Sequence, residues 1–203
     1  MTSEYNVSVV TGPAADELEV FAASELCRYL ETIYGISTHP VTGIEANAKI
    51  AFFIGNPKSN PAVNDVSGIT GWPEVSVQGI VLKRGVFNDT TIFILGGGSA
   101  KATLWAVYEF VKHLGVCFLL EKDVLPENPP SFPPDELDVV IKPQLHFRSY
   151  RGVNDLATSL VFFGIEDYRH LIDQLAKMKF NVFYLQIYPF QPFVHYEFRG
   201  QKK

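Results

Sequence analysis

Cysteine is scarce in this 203-residue chain: Cys27 and Cys117 are the only two, far apart and each inside an apolar pattern. That count excludes a disulfide framework and leads us to expect two buried, reduced thiols. Charge is sparse too, at 19% of residues, and no run of Lys or Arg exceeds two. With a formal net charge of −5 the chain lacks the basic stripe that neutralises phosphates, so no nucleic acid partner is expected. No stretch approaches the roughly 20 apolar residues of a membrane span, so no membrane partner is expected either. His39, His113, His146, His170 and His195 show no H-x-x-x-H spacing, and no C-x-x-C pair occurs. No metal site is therefore expected, and nothing calls for a cofactor. A G-x-S-x-G elbow is also absent, which removes the usual signal for acyl transfer. The start, Met1-Thr2-Ser3-Glu4-Tyr5, has neither a basic n-region nor an apolar h-region. The expected location is cytoplasmic by default, or secreted or periplasmic if a leader has been removed.

What the chain does have is apolar mass. Hydrophobic residues make up 47% of it, which rules out disorder as a global description. Aromatics are plentiful, with 16 Phe, 9 Tyr and 2 Trp, and the 59 residues after Gln144 hold 13 of these rings. A piece so rich in rings is either a buried core or a surface for stacking on sugars or bases.

Periodicity gives the order of elements. Tyr5–Val10 alternates like a strand and Gly12-Pro13 ends it. From Ala14 to Tyr34, Leu18, Ala22, Leu26, Leu30 and Ile33 share one helical face, stopped by Gly35. Ile50–Ile54 is a short, wholly apolar strand, followed by a polar loop containing Pro57, Asn60, Pro61, Asn64, Gly68 and Gly71. Val77–Lys83 and Thr91–Leu95 read as antiparallel strands turning at Asn88-Asp89. A second helix follows with Leu104, Val107, Tyr108, Val111 and Leu114 on its face, closed by Gly115. Val116–Leu120 is a short strand, and the prolines between Pro126 and Pro134 mark an extended wall or linker. Asp138–Ile141 is the last strand of this first unit, residues 1–142. In the second unit, residues 143–203, Leu145–Arg151 is a strand, Glu166–Lys179 a helix and Val182–Ile187 an apolar strand. Tyr168, Leu171, Ile172, Leu175 and Met178 share that helix's face. Strand, helix and apolar strand in that order signal a parallel βαβ unit.

The glycine run Gly96-Gly97-Gly98-Ser99 joins a strand to a helix, a context that can bind phosphate. The dinucleotide pattern G-x-G-x-x-G fails where Lys101 replaces its third glycine. A P-loop fails because Lys101 is not preceded by Gly and is followed by Ala102. A tight strand-to-helix turn with Ser99 as N-cap accounts for the same residues.

Two stretches carry a family resemblance. The helix Ala22-Ala-Ser-Glu-Leu-Cys-Arg-Tyr-Leu30 with the strand Ile50–Gly55 is one. The other is Ile92-Phe-Ile-Leu-Gly-Gly-Gly-Ser-Ala-Lys-Ala-Thr-Leu-Trp-Ala-Val-Tyr-Glu-Phe-Val-Lys-His-Leu-Gly115. Together they resemble the N-terminal domain of α-glucuronidases, which is similar to the second domain of family 20 β-hexosaminidases. The fold this implies is α+β: a two-layer sheet-plus-helices domain followed by a partial (β/α)8 barrel segment. Pro143-Gln-Leu-His-Phe-Arg148 resembles the start of the first barrel strand in both families. Leu171–Val182 resembles the first barrel helix running into the second strand. The family's arginine that holds sugar hydroxyls maps onto Arg148 without gaps, whereas a shifted alignment through Tyr150-Arg151-Gly152 selects Arg151; the gapless match makes Arg148 the expected residue. These two are three apart, so on a strand they point to opposite faces and only one faces the barrel mouth. Asn154-Asp155 echoes part of the α-glucuronidase pattern and would put Asp155 near the mouth. Tyr188 and Phe193, after the second strand, are placed to stack on sugar rings; the competing reading, and the favoured one, is that Phe162, Phe163, Phe190 and Phe193 pack against barrel layers or helices beyond this fragment. The places of the hexosaminidase His and acidic pair hold Gln186, Pro189 and Phe190, which departs from that family.

Glycoside hydrolysis requires two carboxyl groups flanking the bond. After Pro143 only Asp155, Glu166, Asp167, Asp173 and Glu197 are acidic, and Glu166-Asp167 suit a helix start. No catalytic residue is assigned. The expectation is an N-terminal region of a glycosidase acting on an oligosaccharide or polysaccharide, not competent alone. Its unfinished barrel would require a missing C-terminal part or a homodimer. The alternative is a non-catalytic carbohydrate-binding or interaction module.

Overall fold

A computed structural model describes residues 5–45, 47–66, 72–152, 160–185 and 197–202. The chain divides into two compact units, one of Met1–Phe118 with Asp123–Gln144 and the other of Leu119–Lys122 with Leu145–Lys203. In the first unit the elements run β1 (Val7–Thr11), α1 (Glu17–Tyr34), β2 (Pro40–Val41), β3 (Ile50–Ile54) and α2 (Ala62–Val66). They continue with β4 (Ile80–Phe87), β5 (Thr90–Gly97), α3 (Ala100–His113), β6 (Cys117–Phe118), β7 (Asp123–Val124) and β8 (Asp138–Ile141). The second unit has β9 (Ser149–Arg151), a 3-10 turn over Leu160–Phe162, α4 (Ile165–Lys177), β10 (Val182–Tyr184) and a hairpin, β11 (Glu197–Phe198) with β12 (Gln201–Lys202). The class is mixed α+β.

Six strands form the main sheet in the order β2-β1-β3-β5-β4-β8. Pairing is parallel from β2 to β5 and antiparallel at β4 and β8. The antiparallel pair β4–β5 turns at Asn88 and Asp89, with φ of 47° and 61°. Asn and Asp tolerate that left-handed backbone better than other side chains, and it matches the twist of a hairpin.

The central strands β1 and β3 are buried over their whole length, as expected where both faces of a parallel sheet are covered. On one face Phe52 stacks on Phe93 at 4.9 Å and meets Phe110 of α3 at 5.2 Å. Helix α1 packs against α3 on the same side. On the other face Val10, Phe53 and Ile94 meet Val63 of α2 and the half-buried Trp72. The segment expected as a polar loop thus includes a short helix, and its Asn60 is buried. Gly68 lies outside the described residues, as does Gly71.

Helix α1 starts at Glu17 rather than Ala14 because Asp16 caps it. The Asp16 carboxylate accepts the Leu18 N–H at 2.9 Å, and the Glu19 carboxylate accepts the Asp16 N–H at 3.1 Å. Such a reciprocal cap satisfies N–H groups that have no partner inside the helix. Its other end closes at Gly35, φ 67°, where a Cβ would be disfavoured. The expected apolar face is offset at the start: Glu19 is buried and Leu18 only half-buried. Glu19 Oε1 accepts hydrogen bonds from Ser59 Oγ at 2.9 Å and Thr103 Oγ1 at 3.2 Å.

Polar contacts also join α1, α3 and the β6–β7 pair. Arg28 donates to both Glu25 oxygens, at 2.7 and 2.9 Å, and Tyr108 Oη donates to Glu25 Oε2 at 3.0 Å. Tyr29 Oη donates to Asp123 at 2.6 Å, and both tyrosine rings meet Phe118 edge-on. Burial pushes the pKa of both phenols up, and the neighbouring carboxylates add to it. The expectation of two buried thiols is corrected here. Cys27 is buried but Cys117 is exposed, because Phe118 takes the inward position on the two-residue strand β6 and alternation sends its neighbour outward.

Candidate functional site

In the second unit, β9 and β10 pair in parallel, with Tyr150 opposite Phe183 and Arg151 opposite Tyr184. Helix α4 connects them. Asp167 fixes its start by accepting the Gly164 N–H at 2.8 Å, and Glu166 pairs with Arg169 at 2.5 Å. Leu171 and Leu175 are buried beneath it, against Tyr150 and Phe183. The Tyr150 and Phe183 rings stack at 6.3 Å and 6°. Because side chains alternate along a strand, Arg151 and Tyr184 project from the face opposite α4. There the Arg151 guanidinium lies over the Tyr184 ring, 5.2 Å from its centroid, within cation–π range.

The two candidate arginines are therefore separated. Arg151 stands at the C-terminal end of β9, beside the C-terminal residue of β10. Arg148 precedes β9 at the opposite end, where its Nε donates to Lys179 O at 2.6 Å and its Nη1 to Leu145 O at 2.9 Å. Burial lowers the Arg148 pKa. Asn181 completes this end: its Oδ1 accepts the Arg148 N–H at 2.8 Å and its Nδ2 donates to His146 O at 2.8 Å. Two contributors were missed from sequence, Tyr184 and Asn181. Alternation along Val182–Tyr184 was the available signal for the tyrosine; nothing local marked the asparagine.

Asp155, Tyr188 and Phe193 lie outside the described residues, as does His195. Among the acids that are described, Glu166 and Asp167 serve the start of α4 and Glu197 lies 4.0 Å from Lys202 in the hairpin. The expected helix face is also modified. Ile172 is 47% exposed and Ile165 66% exposed, whereas Gln174 is buried and donates to Leu119 O at 2.8 Å. Two isoleucines seven residues apart form an outward apolar stripe along α4.

The glycine run in the first unit has no room for a ligand. A Cβ on Gly96 would lie 2.0 Å from Gly55 O, and one on Gly98 would lie 2.0 Å from Ser76 O. Ser99 Oγ donates to Val77 O at 2.6 Å and accepts the Ala102 N–H at 3.3 Å. The crevice between β1 and β3, where strand order reverses, is where open α/β sheets usually bind ligands. Here Asn60 fills it, donating from Nδ2 to Val10 O at 3.3 Å and Ile54 O at 3.0 Å. Among the described residues no three His, Cys, Asp or Glu side chains converge. No helix among them is long and apolar enough to cross a membrane.

No family model matches the chain, and no curated protein matches it. Solved structures do match. One is described as a family GH115 4-O-methyl-alpha-glucuronidase with specificity for decorated arabinogalactans, at a TM-score of 0.64 and 14% identity. The likeness is one of fold. It covers 91% of this chain, including material from both units, but only 25% of the other. This chain thus spans about a quarter of the length of the glucuronidase it matches.

Proposed function

We propose that this chain is the N-terminal region of a glycoside hydrolase of the α-glucuronidase kind. Residues 1–142 form an accessory α+β domain, and residues 143–203 begin a (β/α)8 barrel. The observation that carries this reading is the parallel β9–α4–β10 unit. Its helix bears an outward Ile165–Ile172 stripe, and its strands carry Arg151 and Tyr184 on the face away from the helix. A barrel places helices side by side around the outside and its substrate at the C-terminal ends of the strands. The stripe suits a neighbouring helix, and Arg151 with Tyr184 suits the mouth. Arg151 would hold sugar hydroxyls there, and Asp155, Tyr188 and Phe193 would join it. The carboxylates that cleave the bond would come from later strands, so residues 1–203 bind sugar without hydrolysing it. The substrate class is a uronic-acid-bearing glycan of plant type, such as a decorated arabinogalactan.

The test compares the 203-residue chain with the longest product of its reading frame, using 4-nitrophenyl glucuronide and decorated arabinogalactan. Activity is expected only in a product that continues with further βα units. A reading frame that stops at Lys203 and yields a folded, inactive monomer that binds no glycan would overturn the proposal. If such a chain instead binds glycan, and loses that binding on Tyr188→Ala or Phe193→Ala, the carbohydrate-binding module replaces the hydrolase.

A further inference from the structure

At the N-terminal edge of the main sheet, opposite the sealed crevice, lies a groove of about 470 Å³. Its walls come from the approach to β1, the link between α1 and β2, and the link between β2 and β3. They are tied to each other through the backbone. Thr38 Oγ1 donates to Val7 O at 3.0 Å, the Glu45 N–H donates to Ser8 Oγ at 3.1 Å, and the Lys49 N–H donates to Asn6 O at 3.0 Å. The Tyr5 ring on one wall is held edge-on against Phe132 at 5.5 Å, and Phe132 is buried in the core. The frame is therefore set before any ligand arrives.

Five of the side chains that line this frame make no hydrogen bond within the described fold. Asn6, Ser37, His39, Glu45 and Asn47 all face the groove, and none of them forms a side-chain hydrogen bond with another described residue. Together they offer two carboxamides, a hydroxyl, an imidazole and a carboxylate around one volume. Among the described residues no lysine or arginine lines the groove, so a phosphate or a uronate would meet the Glu45 carboxylate with no lysine or arginine among them to balance it. Among the described lining residues only Val7 and Ala48 are aliphatic, little apolar wall for a lipid or a hydrophobic peptide. A dense set of neutral donors and acceptors, one carboxylate to accept two hydroxyls, and one fixed aromatic ring match an uncharged polyhydroxylated molecule.

We infer that this groove binds a neutral saccharide of about one or two rings, since small-molecule sites run upward from about 300 Å³. The inference rests on the groove walls alone and does not require the hydrolase reading. NMR amide titration of the 203-residue chain with neutral galactobiose tests it, with glucuronic acid and inorganic phosphate as anionic probes. Galactobiose is expected to shift the amides of Asn6, Thr38 and Asn47. Glu45→Ala should weaken that binding at least about tenfold, as expected for loss of charge-assisted hydrogen bonds, with no change in melting temperature. Tyr5→Ala should weaken it as well. Shifts confined to 149–185 would overturn the groove and leave the barrel reading intact. Equal binding of phosphate or glucuronic acid at the groove would overturn the neutral-sugar assignment. No shift at any galactobiose concentration would overturn the groove, while activity of the longer product would still decide the hydrolase.

Discussion

Asn60 offers a sharp test of how the first unit is held together. It is 1% exposed, and its carboxamide donates to Val10 O and Ile54 O at the ends of neighbouring parallel strands. Asn60→Ala removes both bonds and leaves two buried carbonyls short of a partner. Each lost bond is worth about 1 kcal/mol, and an unsatisfied buried group adds about 1–3 kcal/mol, softened because a carbonyl has two acceptor positions. A loss of about 2–4 kcal/mol is expected, a large share of the roughly 5–15 kcal/mol of a typical domain. Asn60→Asp keeps the shape but replaces the donor with an anion facing two carbonyl oxygens. At neutral pH it should be less stable than Asn60→Ala, although it deletes less volume. Its buried carboxyl would titrate above the usual carboxylate range. Stability of that variant should therefore be higher below the ordinary aspartate pKa and fall as pH rises through the folded value. Both tryptophans, Trp72 and Trp105, belong to the first unit, so urea unfolding followed by tryptophan fluorescence reads this unit directly. An Asn60→Asp variant as stable as Asn60→Ala at pH 7, with an unchanged m-value, would refute the donor role.

Other perturbations follow from the same contacts. Gly96→Ala places a Cβ 2.0 Å from Gly55 O; the strands must part, and a loss above about 4 kcal/mol or insoluble protein is expected. Gly35→Ala, with open space around it but φ 67°, should cost only about 1 kcal/mol in the same urea assay. Native protein should expose one thiol to Ellman's reagent and denatured protein two, because Cys27 is buried with its pKa pushed up to about 11 while Cys117 is exposed. The Cys27 thiol keeps its proton in the folded state. Its contribution is full below the ordinary value of 9.0 and is lost as pH rises from there through about 11, so Cys27→Ser should flatten part of the alkaline decline in stability. In an active longer product, Arg151→Ala should raise KM or lower kcat/KM by about tenfold or more, with Arg151→Lys restoring part of it.

Legibility tracked the range of the forces involved. Helices α1 and α3, the Asn88-Asp89 turn and the Ser99 cap were readable because periodicity and caps act over a few residues. Strand β8 was readable over its full Asp138–Ile141 extent. The burial of Glu19 and Asn60 was not, since Thr103 and Val10, which satisfy them, lie 84 and 50 residues away in the chain. The exposure of Cys117 turned on a two-residue strand too short to show alternation. For the two arginines, sequence established that only one could face a barrel mouth, and the gapless alignment favoured Arg148. Choosing between them required the start of β9, which falls at Ser149 rather than Leu145. With that start, Arg148 precedes the pleat and its guanidinium turns onto backbone carbonyls.

The aromatic-rich end can then be interpreted ring by ring. Tyr150, Tyr168, Phe180 and Phe183 are engaged around Leu171 and Leu175 beneath α4, so part of the excess is ordinary core. Phe147, Phe162, Tyr184 and Phe198 remain 51–71% exposed. A unit this small cannot bury so many large side chains, because the fraction of surface a domain removes from water rises with its size. Four exposed rings together with Ile165 and Ile172 leave apolar surface on this unit. In the proposed barrel those groups face neighbouring βα units, whereas Tyr184, held by Arg151 at the strand ends, faces the sugar. Under that proposal the two roles, core and stacking surface, would fall to opposite faces of the same two strands: Tyr150 and Phe183 beneath α4, and Tyr184 on the other side.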